Sequence, residues 1–221
     1  MSELPRFRKV KERHYKVLIV GGGESLIGFD MNKLKEFDGA IITVNNVVYH
    51  LPCCDYWITV DPMSNGEPQR AMRDKVWGVK YFCAFPDLKK HPQDIEAYET
   101  VSGVHYLERT QPNTVGYRLE EDKNKIKTGD SIYGALGLAY HMEAKQIIML
   151  GVDGSGYGHW YDRGEQYNPH NVPDLENVPS IYRSSLEQFE KRGTKVVNGS
   201  ENSIIDCFER MNPEEAFSFF D

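Results

Sequence analysis

The residues of this chain that could do chemistry recur at one kind of place, directly behind a short apolar run. They are Gly21, Gly22 and Gly23 with Ser25, then Asn45 and Asn46, Asp61, Asp153, and Asn198 with Ser200. A glycine cluster behind a strand lets backbone N–H groups approach phosphate oxygens with no Cβ in the way, and it serves equally as a tight turn. The loop departs from the dinucleotide fingerprint, because Leu26 holds the third glycine position. It also departs from the P-loop, because Gly28 is followed by Phe29 and not by Lys-Ser/Thr.

Two further stretches carry candidate groups. Thr128-Gly129-Asp130-Ser131 precedes a strongly helical pattern, so Thr128 or Ser131 can cap a helix whose positive end favours an anion. Residues 154–179 form a long run of Gly, Tyr, His, Asn and Pro without periodicity, which in a compact domain reads as a lid. Tyr157, Tyr161 and Tyr167 could stack on a base or sugar, and His159 and His170 are the candidate general bases. His50, His91, His105 and His141 fall inside expected elements or short turns and read as structural. No D-x-D motif occurs, so no metal site is assigned, although Asp61, Asp153 or Asp162 could share an Mg²⁺ with phosphates. No G-x-S-x-G elbow occurs, which argues against an α/β-hydrolase.

The elements that must position these groups are legible from apolar runs. Strands are expected at residues 15–20, 40–44, 56–60, 80–85, 104–107, 147–152 and 195–197, and helices at 131–144, 180–192 and 213–220. Continuous apolar strands alternating with helices specify an α/β fold, a single Rossmann-like and mostly parallel sheet with helices on both faces. Ligands of such sheets bind outside the carboxyl ends of the strands, where the strand order reverses. Residues 1–14 read as a basic N-terminal tail, and 15–221 as one nucleotide-binding domain with the lid-like loop at 154–179.

Composition narrows the function classes. With 221 residues, 40% hydrophobic and 12% aromatic, the chain can bury one sizeable core. Lys+Arg number 26 against 33 Asp+Glu, and a net charge of −7 argues against a large nucleic-acid footprint. No apolar run is long enough for a membrane span, and the charged start lacks a signal-peptide core, so a cytoplasmic location is expected. The four cysteines contain no C-x-x-C and read as reduced thiols.

The order of these blocks resembles bacterial sialyltransferases of the lipooligosaccharide type. The resemblance is carried by Gly21 to Leu26, Val44-Asn45-Asn46, Val60-Asp61-Pro62, the block from Thr128 to Asp153, and Asn202-Ser203-Ile204-Ile205-Asp206. The chain is also similar to a phage and prokaryotic family grouped with archaeal 6-hydroxymethylpterin diphosphokinases. The first resemblance implies that Gly21, Gly23, Ser25 and Asn45 hold a CMP-sialic acid donor, with Thr128, Gly129 and Ser131 near its phosphate. It implies a base at His170, with His159 as rival, tyrosines such as Tyr161 beside the leaving phosphate, and Asn202 and Ser203 close to the donor. Gly22 stands where that family carries Asn, and Glu24 where it carries Pro.

Three functions follow as expectations. The first is a metal-independent glycosyltransferase-like enzyme using a nucleotide-sugar donor, with no cofactor and an acceptor that the sequence leaves open. The second is an Mg²⁺-dependent diphosphokinase, in which Asp61 and Asp153 would converge. The third is a non-catalytic nucleotide-binding phage protein, located in the host cytoplasm. Each leaves room for a homo-oligomer.

Overall fold

The computed structural model describes residues 9–60, 79–85, 104–110, 116–127, 129–154, 158–161 and 177–221. Asp61, Thr128, Tyr157, Asp162, Tyr167 and His170 lie outside them. Among the described residues nine strands form one sheet: β1 Lys16–Val20, β2 Ala40–Val44, β3 Tyr56–Thr59, β4 Lys80–Phe85, β5 Val104–Thr110, β6 Lys125–Lys127, β7 Gln146–Leu150, β8 Lys195–Gly199 and β9 Glu209–Arg210. Their order is β6-β5-β4-β3-β2-β1-β7-β8-β9, and every pairing is parallel. The chain therefore leaves β1 toward β2 in one direction and returns to β7 on its other side. That reversal creates a switch point between β1 and β7.

The central strands are apolar on both faces because both faces are covered. Val17, Leu18, Ile19 and Val20 are fully buried, as are Ile147, Ile148, Met149 and Leu150. Four α-helices are described: α1 Ser131–His141, α2 Val178–Arg183, α3 Leu186–Arg192 and α4 Pro213–Phe217. Helix α1 lies close on the sheet because a Cβ at Gly134 would come within 2.6 Å of Val60 Cγ1, the face shared by Ile58. Helix α4 takes the opposite face. Its Ala216 sits against Gly199, which is in register with Leu150, Val20, Thr43 and Trp57, one residue out of phase with Ile58. Among the described residues no helix is long and apolar enough to cross a membrane.

Several boundaries differ from the expectation, each for a local reason. The helix expected at 180–192 breaks into α2 and α3, where the Ser184 and Ser185 hydroxyls donate to the carbonyls of Ile181 and Tyr182, both at 2.6 Å. Such hydroxyls compete with the helical ladder. The helix expected to reach 144 stops at His141, because Glu143 adopts φ +63° and pairs with Lys123 at 2.8 Å. Strands β6 and β9 are too short and polar to announce themselves. Residues 9–14, read as part of the tail, lie against the domain. Val10 is 2% exposed and its N–H donates to the Lys123 carbonyl, while His14 Nε2 meets Tyr56 Oη at 2.7 Å.

Candidate functional site

The carboxyl ends of β1, β2, β3, β7 and β8 bring most of the described candidates to the switch point. At its centre is Asp153, just beyond β7. Its carboxylate accepts from Ser25 N–H at 2.9 Å, Ser25 Oγ at 2.5 Å and Ser200 Oγ at 2.7 Å. Ser200 in turn accepts from Val152 N–H at 3.1 Å. Three strand ends are thus tied by one carboxylate. Ser203 is 1% exposed and ties the same corner, donating to the Val152 carbonyl at 2.7 Å and supporting Ile205 N–H at 3.1 Å. Asn202 is exposed beside it.

The three glycines serve close approach. A Cβ on Gly21 would fall 2.4 Å from the Gly151 carbonyl oxygen, on Gly22 2.5 Å from His159 Cδ2, and on Gly23 2.6 Å from the Asp153 carboxylate carbon. Their amides are largely committed as well. Gly21 N–H donates to Leu150 and Gly23 N–H to Gly151, both at 2.8 Å. The loop that sequence offered as a phosphate cradle is therefore first a junction between β1 and β7. Gly21→Ala is expected to cost about 3 kcal/mol, since the obstructing atom is backbone and cannot rotate away. A urea-melt midpoint unchanged from wild type would contradict this.

Asn45 follows β2 with φ +45°, a left-handed conformation uncommon for a residue other than glycine. Its Oδ1 accepts from Thr59 Oγ1 at 3.0 Å and Ser131 Oγ at 3.3 Å, and its carbonyl accepts from Trp57 Nε1 at 2.8 Å. So Asn45, the end of β3 and the start of α1 form a second node. Neighbouring Asn46 Oδ1 and, near the end of β8, Asn198 Oδ1 are buried acceptors without a hydrogen-bond partner within the described structure.

The helix start differs from the expectation. The N-cap is Asp130, whose carboxylate accepts Tyr133 N–H at 2.7 Å, and not Ser131, which turns to Asn45. Tyr182 Oη also donates to Asp130, at 2.9 and 3.0 Å. Burial, reinforced by that carboxylate, pushes the Tyr182 phenol well above its ordinary range. Gly129 abuts Ile181, where a Cβ would lie 2.8 Å from Cγ2. This end of α1 is capped by an anion and covered by α2, so the helix dipole is already answered.

Residues 158–161 of the lid-like loop cross the glycine junction. Gly23 and His159 form an antiparallel bridge, and Trp160 donates its N–H to Gly22 at 3.0 Å and its Nε1–H to Gly21 at 3.2 Å. Tyr161 stacks with both His159 and His50. Sequence reasoning placed Trp160 only in the aromatic run of the loop, read His50 as structural and missed the capping role of Asp130; the contacts of the first two join residues far apart in the chain. On the other flank, Arg109 at the end of β5 donates to the Val60 carbonyl at 3.1 Å and brings a cation to the end of β3. Beside it Lys127, 3% exposed, pairs with Glu120 at 3.0 Å. Burial would raise the Glu120 carboxyl, but the Thr110 hydroxyl and Lys127 together hold it below the usual carboxylate range.

Among the described residues no three His, Cys, Asp or Glu side chains gather to hold a metal ion. The convergence of Asp153 with Asp61 falls outside the described residues.

Fold and site together define an α/β protein with a parallel sheet and a polar network at its switch point. In overall fold the chain is similar to a variant of the sialyltransferase CST-II in complex with CMP. The two share 13% identity with a TM-score of 0.53, covering 91% of this chain and 88% of that one. A second structure, the apo short-chain oxidoreductase of Pseudomonas aeruginosa PAO1 with an atypical catalytic center, reaches 16% identity and a TM-score of 0.24 over 83% and 68% of the two chains. No protein-family model matches the chain, and no curated protein matches it in sequence.

Proposed function

We propose that this protein is a glycosyltransferase that takes its sugar from a donor linked to a nucleoside monophosphate, with CMP as the nucleotide to test first. The observation that carries the reading is the convergence of Ser25, Asn45, Ser131 and the His159–Tyr161 segment, from four separate stretches, on the β1/β7 switch point. The fold-level likeness to a CMP-bound sialyltransferase supports the choice of nucleotide.

The geometry favours one phosphate over two. Among the described residues the amides of Gly21, Gly23 and Ser25 are already engaged and Asp130 occupies the cap of α1, so these groups are not open to a diphosphate. In the proposed reaction an acceptor hydroxyl oxygen bonds to the anomeric carbon. The bond from that carbon to the donor phosphate oxygen breaks, and the nucleoside monophosphate leaves. His159, whose ring lies over Gly22, takes the hydroxyl proton. Asn45 and Ser131 hold the nucleotide, and Tyr161 faces the leaving group.

The test is a thermal-shift and calorimetry panel of CMP, UMP, UDP and ADP, followed by CMP release from CMP-sialic acid. CMP at 100 times its Kd should add about 2.7 kcal/mol of stability. Binding of ADP with Mg²⁺ in preference to CMP would replace this reading with the diphosphokinase. CMP binding without turnover of any CMP-linked sugar would leave a nucleotide-binding protein.

A further inference from the structure

His50 ends the 3-10 turn Asn45–Tyr49, its N–H donating to the Val47 carbonyl at 2.9 Å. The turn starts at Asn45, the residue at the centre of the second polar node. The His50 ring lies parallel to that of Tyr161, with 4.1 Å between centroids and 8° between planes. Tyr161 also lies parallel to His159, at 5.0 Å and 11°. Trp160 stands edge-on to His50 at 6.0 Å and 79°, and to Tyr161 at 5.3 Å and 86°. The same Trp160 is hung from Gly21 and Gly22 by its two N–H groups. Residues 158–161 are therefore held from two sides, by the glycine junction through hydrogen bonds and by the β2 connection through a ring stack.

The two restraints do different work. Hydrogen bonds to Gly21 and Gly22 fix where the backbone of 159–160 lies and act on that backbone and on the Trp160 indole, not on the His159 ring. The stack fixes the ring plane, because parallel faces lose contact when either ring rotates. A proton acceptor needs that plane fixed, since the nitrogen lone pair lies in it and must point at the hydroxyl. We infer that His50 is a positioning residue that, through Tyr161, sets the plane of the His159 imidazole above Gly22. The inference rests on the reading of His159 as the base. It also gives the β2 connection a second task, because one turn then carries Asn45 at its start and steers the base from its end.

The test compares His50→Ala, which removes the outer ring, with His50→Phe, which keeps a flat ring that cannot titrate. His50 is exposed, so both variants are expected to fold. His50→Ala should lower kcat for CMP-sialic acid about tenfold or more, toward the roughly 10²-fold that a misplaced catalytic group can cost. Its Kd for CMP should stay at the wild-type value, and His50→Phe should recover most of the lost kcat. The NMR resonances of the His159 ring protons, displaced by the face of Tyr161, should move toward solvent-exposed positions in His50→Ala and hold in His50→Phe. Unmoved His159 resonances in His50→Ala overturn the inference. So does a rise in the Kd for CMP that matches the loss of kcat, since His50 would then bind ligand directly. If the resonances move but the wild-type protein turns over no CMP-linked sugar, the positioning stands and the proposed reaction is what fails.

Discussion

Replacing Asp153 by alanine is expected to cost about 3 kcal/mol of folding stability, with a fall in Tm of about 6–12 °C. The carboxylate is the shared acceptor of Ser25 N–H, Ser25 Oγ and Ser200 Oγ. Truncation leaves three donors without their partner at a junction where Gly23 was required so that the carboxylate could approach. Hydrogen bonds to a charged acceptor contribute about 1.5–3 kcal/mol each, and the shared geometry and partial exposure of this network keep the total below their sum. Asp153→Asn isolates the chemistry from the shape. Its Oδ1 can still accept both hydroxyls, but its amide nitrogen must then face the Ser25 N–H, donor against donor. We therefore expect about 2 kcal/mol for Asn. Urea unfolding with an unchanged m-value would measure both. Variants within 0.5 kcal/mol of wild type would show that the three strand ends hold together without this carboxylate.

The second large effect concerns the proposed reaction. His159→Ala is expected to lower kcat for CMP release by about 10²–10⁴-fold, the usual contribution of a general base. The Kd for CMP should change by less than about twofold, because a residue that acts only on the acceptor proton does not hold the nucleotide. His159→Phe guards against a purely structural explanation, since it preserves a flat ring over Gly22 and beside Tyr161 while removing the proton acceptor. Both variants should be equally slow. If His159→Phe keeps full activity while His170→Ala loses it, the base is His170 in the 162–176 stretch, and the His159 ring serves only to hold the segment on the glycine junction.

Much of this fold was legible because burial on both faces leaves a plain trace. The expected strand at 40–44 coincides with β2 and that at 80–85 with β4, and β1 and β7 shift by only a residue or two. A parallel strand covered from both sides has no polar phase, so its apolar run marks its length. The elements that escaped, β6, β9 and the 3-10 turns after β1 and β2, are short and carry charged or polar residues. Their conformation is decided by neighbours, not by their own composition.

The same division runs through the site. The sequence by itself determined which residues sit at the strand ends, because turn-forming Gly, Asn, Asp and Ser must follow buried apolar runs. That was enough to place Gly21 to Ser25, Asn45 and Asp153 at one edge. It also determined the acidic balance, which argues against a large nucleic-acid footprint. Only the tertiary structure decided what those residues do there. Three glycines that read equally as a phosphate cradle or a turn proved to leave room for a carbonyl, an imidazole and a carboxylate. Asp130 took the cap expected of a hydroxyl because Tyr182, 52 residues away, supplies its second partner. His50 meets the 158–161 segment because Tyr161, 111 residues away, stacks on its ring. Strand runs are local, since each residue's own burial selects its type. Donor commitment and ring stacking are properties of pairs remote in sequence, and nothing in either partner's own neighbourhood records the other.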